Sequence, residues 1–264
     1  MKWAIPLPML ALALAACAPS AAAPGGGGIV STNPCADAML LALVPPERVA
    51  AISHYSKDPA ASSIAPALAA RLRATAGTAE EVIALRPDLV ITSSFAPPAT
   101  RAAYARAGLR TLVLDGAPSV SASVAQLRTL AAAVGAQARG EALVAAIERA
   151  AQPVPPKGIR TLLYLGGGMA NGPGNLLDDM MTRAGLTNAA ADYGLAYSGA
   201  VSAEALALRP PALILAPDLS ARQARARAAV LGARTRQAVF PRRLINCGGP
   251  VIIEAMATLK QVAR

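Results

Sequence analysis

The chain holds 264 residues, 54% of them hydrophobic and 15% charged, which excludes a disordered chain and gives room for one large domain or two lobes with cores of their own. Its formal charge is +10, and all 25 basic residues except Lys2, Lys57, Lys157 and Lys260 are arginine, so nucleic acid must be weighed as a partner. Two Phe, one Trp and five Tyr, with no nucleic-acid-binding motif, argue against it, and the charge suits an anionic ligand or a membrane surface equally well.

Residues 1–16 read as an export signal and not as fold. Lys2 supplies the positive start, and the apolar run over residues 4–16 is too short to span a bilayer. It ends in Leu14-Ala15-Ala16-Cys17, which resembles a bacterial lipobox; that resemblance implies acylation of Cys17 and a mature chain beginning there. Residues 17–28, rich in Ala, Pro and Gly, then form a flexible tether. The expectation is an exported protein held to a membrane by an N-terminal lipid.

Strands are expected at residues 29–30, 49–53, 89–91 and 110–114, alternating with helices at 39–43, 64–73, 79–86 and 99–107. This is the βαβα rhythm of a parallel sheet covered by helices. Residues 119–151 break it. Val120, Val124, Leu127, Leu130, Val134, Leu143 and Ile147 fall at helical spacing with no proline between them. One continuous helix there would span roughly 45 Å and act as a rigid strut, with Gly135 and Gly140 as the places to kink or split it. Three prolines in 152–158 mark a boundary. Beyond it come a strand at 159–165, a glycine-rich loop at 166–174, a helix at 175–184, an arginine-rich stretch at 222–243, a strand at 243–246, a turn at 247–250 and a last helix at 251–263.

One stretch occurs twice. TAEEVIALRPDLVI (78–91) and SAEALALRPPALIL (202–215) share a hydroxyl residue, Ala, a glutamate (Glu80, Glu204), a proline seven positions on (Pro87, Pro211) and an apolar run. Each reads as a capped short helix, a proline stop and a buried strand. A supersecondary unit found twice argues for two similar lobes. The expected fold is therefore α/β: two α/β lobes with parallel sheets, residues 29–118 and 152–264, joined by a long rigid helix at 119–151.

Ligands of open α/β sheets sit at the carboxyl ends of the strands, where loops supply donors. The candidate loops are 33–37, 54–58, 93–97, 166–174, 216–218 and 246–250, and within them Asn33, Pro34, Cys35, His54, Tyr55, Ser94, Phe95, Met169, Asn171, Gly172, Cys247, Gly248 and Gly249 are the candidate ligand-binding residues. His54 is the only histidine; it suits a ligand contact, with Tyr55 a route to a haem iron, or an ordinary loop role. Cys35 and Cys247 remain once Cys17 is acylated. In an oxidising compartment they are expected to pair, tying the two lobes together, with two free thiols facing a ligand as the alternative. The 166–174 loop matches neither phosphate-binding fingerprint. A cysteine hydrolase would need Cys35 and His54 with a third member that the sequence does not supply. No zinc-type ligand spacing occurs, and no cofactor is expected. Arg222, Arg225, Arg227, Arg234, Arg236, Arg242 and Arg243 read as a solvated face with only Asp218 nearby, or as a surface for an anionic ligand or lipid headgroups.

With the repeat, the interlobe helix, the G-P-G-N loop at 172–175, A-G-L-T-N at 184–188 and C-G-G-P at 247–250, the chain resembles the binding-protein components of ABC importers for ferric siderophores, haem and cobalamin. The resemblance covers nearly all of the chain after the signal. It implies two lobes around a shallow ligand cleft and no covalent chemistry. It also implies capture of a metal-chelate complex by a monomer and delivery to a permease dimer with its ATPase. A ferric siderophore or corrinoid is the first expectation and haem the alternative. The resemblance further implies that Glu80 and Glu204, one per lobe, meet arginines of the permease. A hydrolase and a structural envelope lipoprotein are the readings from other classes.

Overall fold

The computed structural model describes Met1 and residues 27–59, 62–217, 221–232 and 234–264. The export signal, Cys17, most of the tether and Asp218 lie outside the described residues.

The first lobe is built from β1 (Ile29–Ser31), α1 (Pro34–Leu43), β2 (Val49–Ser53), α2 (Pro66–Arg71), β3 (Ala74–Thr75), α3 (Ala79–Ala84), β4 (Leu89–Thr92), α4 (Pro98–Arg106) and β5 (Thr111–Val113). Its five strands are ordered β3-β2-β1-β4-β5, all parallel. Helices cover both faces, so alternate side chains enter different cores. Ile29, Ile52, Leu89 and Ile91 face inward to the main core. Val30, Ala51 and Val90 face Val82 of α3 and Tyr104 of α4. α1 begins five residues earlier than expected, because Asn33 caps it: its Oδ1 accepts the N–H groups of Cys35 (3.0 Å) and Ala36 (3.4 Å), with Pro34 at the first helical position. Most of the anticipated 33–37 loop is thus a cap and a first helical turn.

Residues 119–151 do not form one strut. They fold into α5 (Val120–Ala133) and α6 (Gln137–Ala150), packed on each other as a hairpin. Gly135, at φ +71°, turns the chain where a side chain would be strained. Gly140 then allows close approach, since a Cβ there would lie 2.5 Å from that of Ala131. α5 packs on α1 and touches α7 of the second lobe, and α6 packs on α10. At about 1.5 Å per residue its 14 residues span only about 21 Å, from the neighbourhood of Leu43 to Ala150, whose carbonyl accepts Lys260 Nζ at 2.8 Å.

The second lobe follows as β6 (Ile159–Gly166), β7 (Met169–Ala170), α7 (Leu176–Arg183), β8 (Leu186–Asn188), β9 (Gly199–Ala200), α8 (Ala203–Leu208), β10 (Leu213–Ala216), α9 (Ala221–Leu231), β11 (Arg236–Val239) and α10 (Val251–Val262). Its sheet runs β11-β10-β6-β7-β9, with β8 also on β6. It is mixed and not wholly parallel: β7 runs antiparallel to β6 and to β9. Gly167 and Gly168, at φ +58° and +81°, close that hairpin, which is why the glycine-rich stretch is a turn and not an open loop. The strand expected at 243–246 is instead a single 3₁₀ turn, Arg242–Leu244; the strand is β11, an edge strand whose polar side chains carry no apolar run to announce it.

The repeat is a repeat in structure. Thr78 caps α3 and Ser202 caps α8 through their hydroxyls, and the following β4 and β10 are buried along their whole length. One apolar cluster runs through both lobes by way of the hairpin, joining Leu40, Leu127, Leu163 and Met256, all fully buried. The lobes therefore share a core.

Candidate functional site

The carboxyl ends of β1, β2, β4 and β5 face the second lobe, and the cleft between holds a cavity of about 320 Å³, within the range of small-molecule sites. Of the residues anticipated from sequence, Cys35, Asn171 and Gly248 line it. Met39 and Gln126 add walls from α1 and α5, Asp115 from the loop after β5, and Asn175, Ser198 and Asn246 from the second lobe. Its lining is rich in amides and holds one carboxylate, Asp115, whose Oδ1 accepts the Ser94 N–H at 2.8 Å. A larger hollow, about 400 Å³, lies at the amino ends of β1, β2 and β4 with Glu47, Arg48, Asp88 and Arg110; it is at the wrong end of the strands for the loops that bind ligands.

Among the described residues, Tyr55 and Phe95 stand exposed after strands, Met169 in β7 and Tyr197 just before β9. His54 and Tyr55 open a 3₁₀ turn (His54–Lys57) after β2, with ring centroids 4.0 Å apart. His54 Nδ1 lies 3.3 Å from the Thr75 carbonyl, which holds that ring, while Tyr55 is 64% exposed. Phe95, after β4, is 86% exposed; Met169 and Tyr197 stand out from the second lobe. Tyr197 and the polar set Asp115, Gln126, Asn175 and Ser198 were missed in the sequence. Asp115 was findable, because the loop after β5 obeys the same carboxyl-end rule as the others. Ser198 and Tyr197 precede a two-residue strand that no pattern announces.

The remaining anticipated residues build the walls. Asn33 is occupied as a helix cap and donates Nδ2–H to the Leu114 carbonyl at 2.7 Å; Pro34 starts the helix. Gly172 is buried with its N–H on Ser198 Oγ (3.1 Å) and its carbonyl accepting Asn171, Asn175 and Asn188 side chains. A Cβ there would run into the Tyr197 backbone at 2.1 Å, so this glycine serves protein packing and not close approach of a ligand. Gly249 likewise packs on Met39 and donates its N–H to Ser123 Oγ at 2.8 Å.

Cys35 and Cys247 are joined as a disulfide in the structure, the first of the two arrangements expected of them. It also removes the Cys35 nucleophile from the hydrolase reading. Among the described residues no group of His, Cys, Asp and Glu could hold a metal ion by itself. The arginines are not one solvated face: Arg243 pairs with Glu254, Arg227 donates to Gln237 at 3.0 Å and lies over the Tyr164 ring, and Arg236 reaches the Val262 carbonyl.

Two α/β lobes on a shared core, with a polar cavity between them, define a two-lobed ligand-capture protein. The chain belongs to the periplasmic binding protein family, whose sequence profile matches residues 29–238. Members bind a small ligand and deliver it to an ABC importer permease, and their place of work is the periplasm. No curated protein sequence matches the chain. Among solved structures, the fold is similar to the apo form of the periplasmic haem-binding protein RhuT from Roseiflexus sp. RS-1 (TM-score 0.70, 24% identity, 90% of this chain and 99% of that one). It is also similar to the periplasmic haem-binding protein BhuT in complex with two haems (TM-score 0.70, 25% identity, 89% and 96%). A third is the periplasmic haem-binding protein HutB of Vibrio cholerae (TM-score 0.72, 16% identity, 89% and 97%).

Proposed function

We propose that this protein captures haem between its lobes and hands it to an ABC permease with its ATPase, without covalent chemistry of its own. The observation that carries the reading is the exposed Tyr55–His54 pair at the carboxyl end of β2. A phenolate is an established axial ligand of haem iron, and exposed rings such as Phe95 offer flat apolar area to a flat macrocycle. The relatives named above are described as haem-binding, which supports haem over the siderophore or corrinoid that the sequence put first. Cys35, Asn171 and Gly248 would form the cavity wall beneath the ligand, with Ser94 and Met169 near its edge.

The test is a spectrophotometric titration of the purified protein with haem, cobalamin and a ferric siderophore, repeated for Tyr55→Phe. Haem alone should bind, and the variant should shift the Soret band and bind more weakly. Cobalamin or siderophore binding with no haem binding would return the reading to the other chelates. Anchoring through Cys17 and action as a monomer belong to the same proposal. Cys17→Ala should free the protein from the membrane fraction, and an intact mass without acyl groups would remove the anchor.

A further inference from the structure

The first turn of α1 carries a carboxyl group that nothing so far explains. Asp37 is the fourth residue of that helix and has no exposure. It does not cap its own helix: Asn33 holds that place, and the Asp37 backbone N–H already bonds the Asn33 carbonyl at 3.1 Å. Its side chain instead turns toward the segment after β2. Oδ2 accepts the Ser53 N–H at 2.9 Å and the Ser56 hydroxyl at 2.7 Å. Oδ1 is buried with no hydrogen-bond partner. A buried carboxyl with an unmade hydrogen bond is costly, and an apolar residue would fill the space more favourably. The two bonds it does make bracket His54 and Tyr55, one on each side.

We propose that Asp37 is the positioning residue of the turn that presents Tyr55 to the ligand. Two bonds on one oxygen fix the backbone on either side of the exposed His54 and Tyr55, while His54 Nδ1 on the Thr75 carbonyl and Lys57 Nζ on the Ala69 and Leu72 carbonyls hold the rest of the turn. α1 is in turn fixed to the opposite lobe by the Cys35–Cys247 bond two residues earlier. The Tyr55 ring is thus registered against both walls of the cleft through one helical turn. Groups that orient an iron-contacting side chain from behind matter nearly as much as the contact itself.

The inference rests on the haem reading for its ligand, and its test separates the two. Asp37→Ala and Asp37→Asn are compared with the parent protein by amide hydrogen exchange without ligand and by haem titration. A carboxamide oxygen can accept both bonds, so Asp37→Asn should keep the parent's exchange pattern and Soret position. Asp37→Ala should speed exchange at residues 54–57 but not in α5 or α6, shift the Soret band and weaken haem roughly 10–100-fold. Local loosening in a protein whose parent binds no haem would sink the haem reading and leave the positioning role standing. Uniformly faster exchange, or an unmoved Soret band in Asp37→Ala, would overturn the proposal. Should Asp37→Ala fail to fold, Ser56→Ala removes one of the two bonds and must move the same observables in the same direction.

Discussion

Cys35, in the first turn of α1, and Cys247, in the turn before α10, are bonded across the lobes with their Cα atoms 5.0 Å apart, though 212 residues separate them in sequence. The bond stands beside a shared core and a crossing helix, so the angle between the lobes is held three ways. Capture then proceeds on a cleft that is largely formed beforehand, which lowers the ordering cost of binding.

Reduction should expose how much of that rigidity the bond supplies. By loop entropy, closing so long a loop contributes about 5 kcal/mol. For a chain of this size that corresponds to a Tm lower by roughly 10–20 °C after reduction. The oxidised protein should show no maleimide-reactive thiol at these two positions and the reduced protein two. An unchanged Tm would remove the bond from the list of stabilising elements.

Asp37 predicts a pH dependence of stability. Burial is the largest influence on its carboxyl and pushes it from 3.8 up to about 7, against the nearby Ser31 hydroxyl and the bonds from Ser56 and the Ser53 N–H, which pull it down. The native state therefore keeps a proton that the unfolded chain releases near pH 4. The stability this group contributes is fully present below that pH and is lost as the pH rises through about 7, by on the order of 4 kcal/mol at most. Asp37→Asn does not titrate. Its Tm should fall less than the parent's between pH 4 and 8 and exceed it at pH 8; a parallel pair of curves in differential scanning calorimetry would reject the assignment.

Gly140 tests the hairpin. Alanine usually stabilises a helix interior by about 1 kcal/mol over glycine. Here the added Cβ would meet the Ala131 Cβ at 2.5 Å, and overpacking of that kind costs roughly 1–3 kcal/mol. Gly140→Ala should therefore lower the urea midpoint. Gly116→Ala, with nothing within 4 Å of the new atom, serves as the control and should leave it in place.

What the sequence disclosed follows from where the physics was local. The duplicated helix-proline-strand unit was legible because capping, the proline stop and the apolar run all lie within fourteen residues. The parallel first sheet followed from the same alternation. The hairpin was not decided, because a helical period continues through Gly135 whether the chain turns there or only bends. The antiparallel β7 and the edge strand β11 escaped because short or polar strands carry no pattern. At the site, Cys35, Asn171 and Gly248, which line the cavity, lie in loops that the carboxyl-end rule picks out. At Gly172 and Gly249 the Tyr197 backbone and Met39 stand where a side chain would, a long-range packing reason for glycine that no local pattern carries.

The last prediction concerns the two glutamates of the repeat. Glu80 and Glu204 are each the second residue of their helix and exposed, and each helix starts at the carboxyl edge of its sheet, one per lobe. Glu81, not Glu80, makes the local bonds, accepting Thr75 Oγ1 at 2.7 Å and the Ala76 N–H at 2.8 Å. No hydrogen bond or ion pair among the described residues engages the Glu80 carboxylate, which leaves it for a partner. The carboxylate of Glu204 is held below its usual range by its own backbone N–H and the Ser202 hydroxyl, so it stays ionised in mild acid. A pair of exposed acids, one on each lobe, suits a permease built from two equivalent subunits. Each such contact is worth only about 0–1 kcal/mol, so single changes should be mild. We expect Glu80→Ala with Glu204→Ala to leave ligand affinity and Tm near those of the parent while uptake in cells falls severalfold. Normal uptake by a well-expressed double variant would return both residues to the first turns of their helices, where the helix dipole alone accounts for a carboxylate.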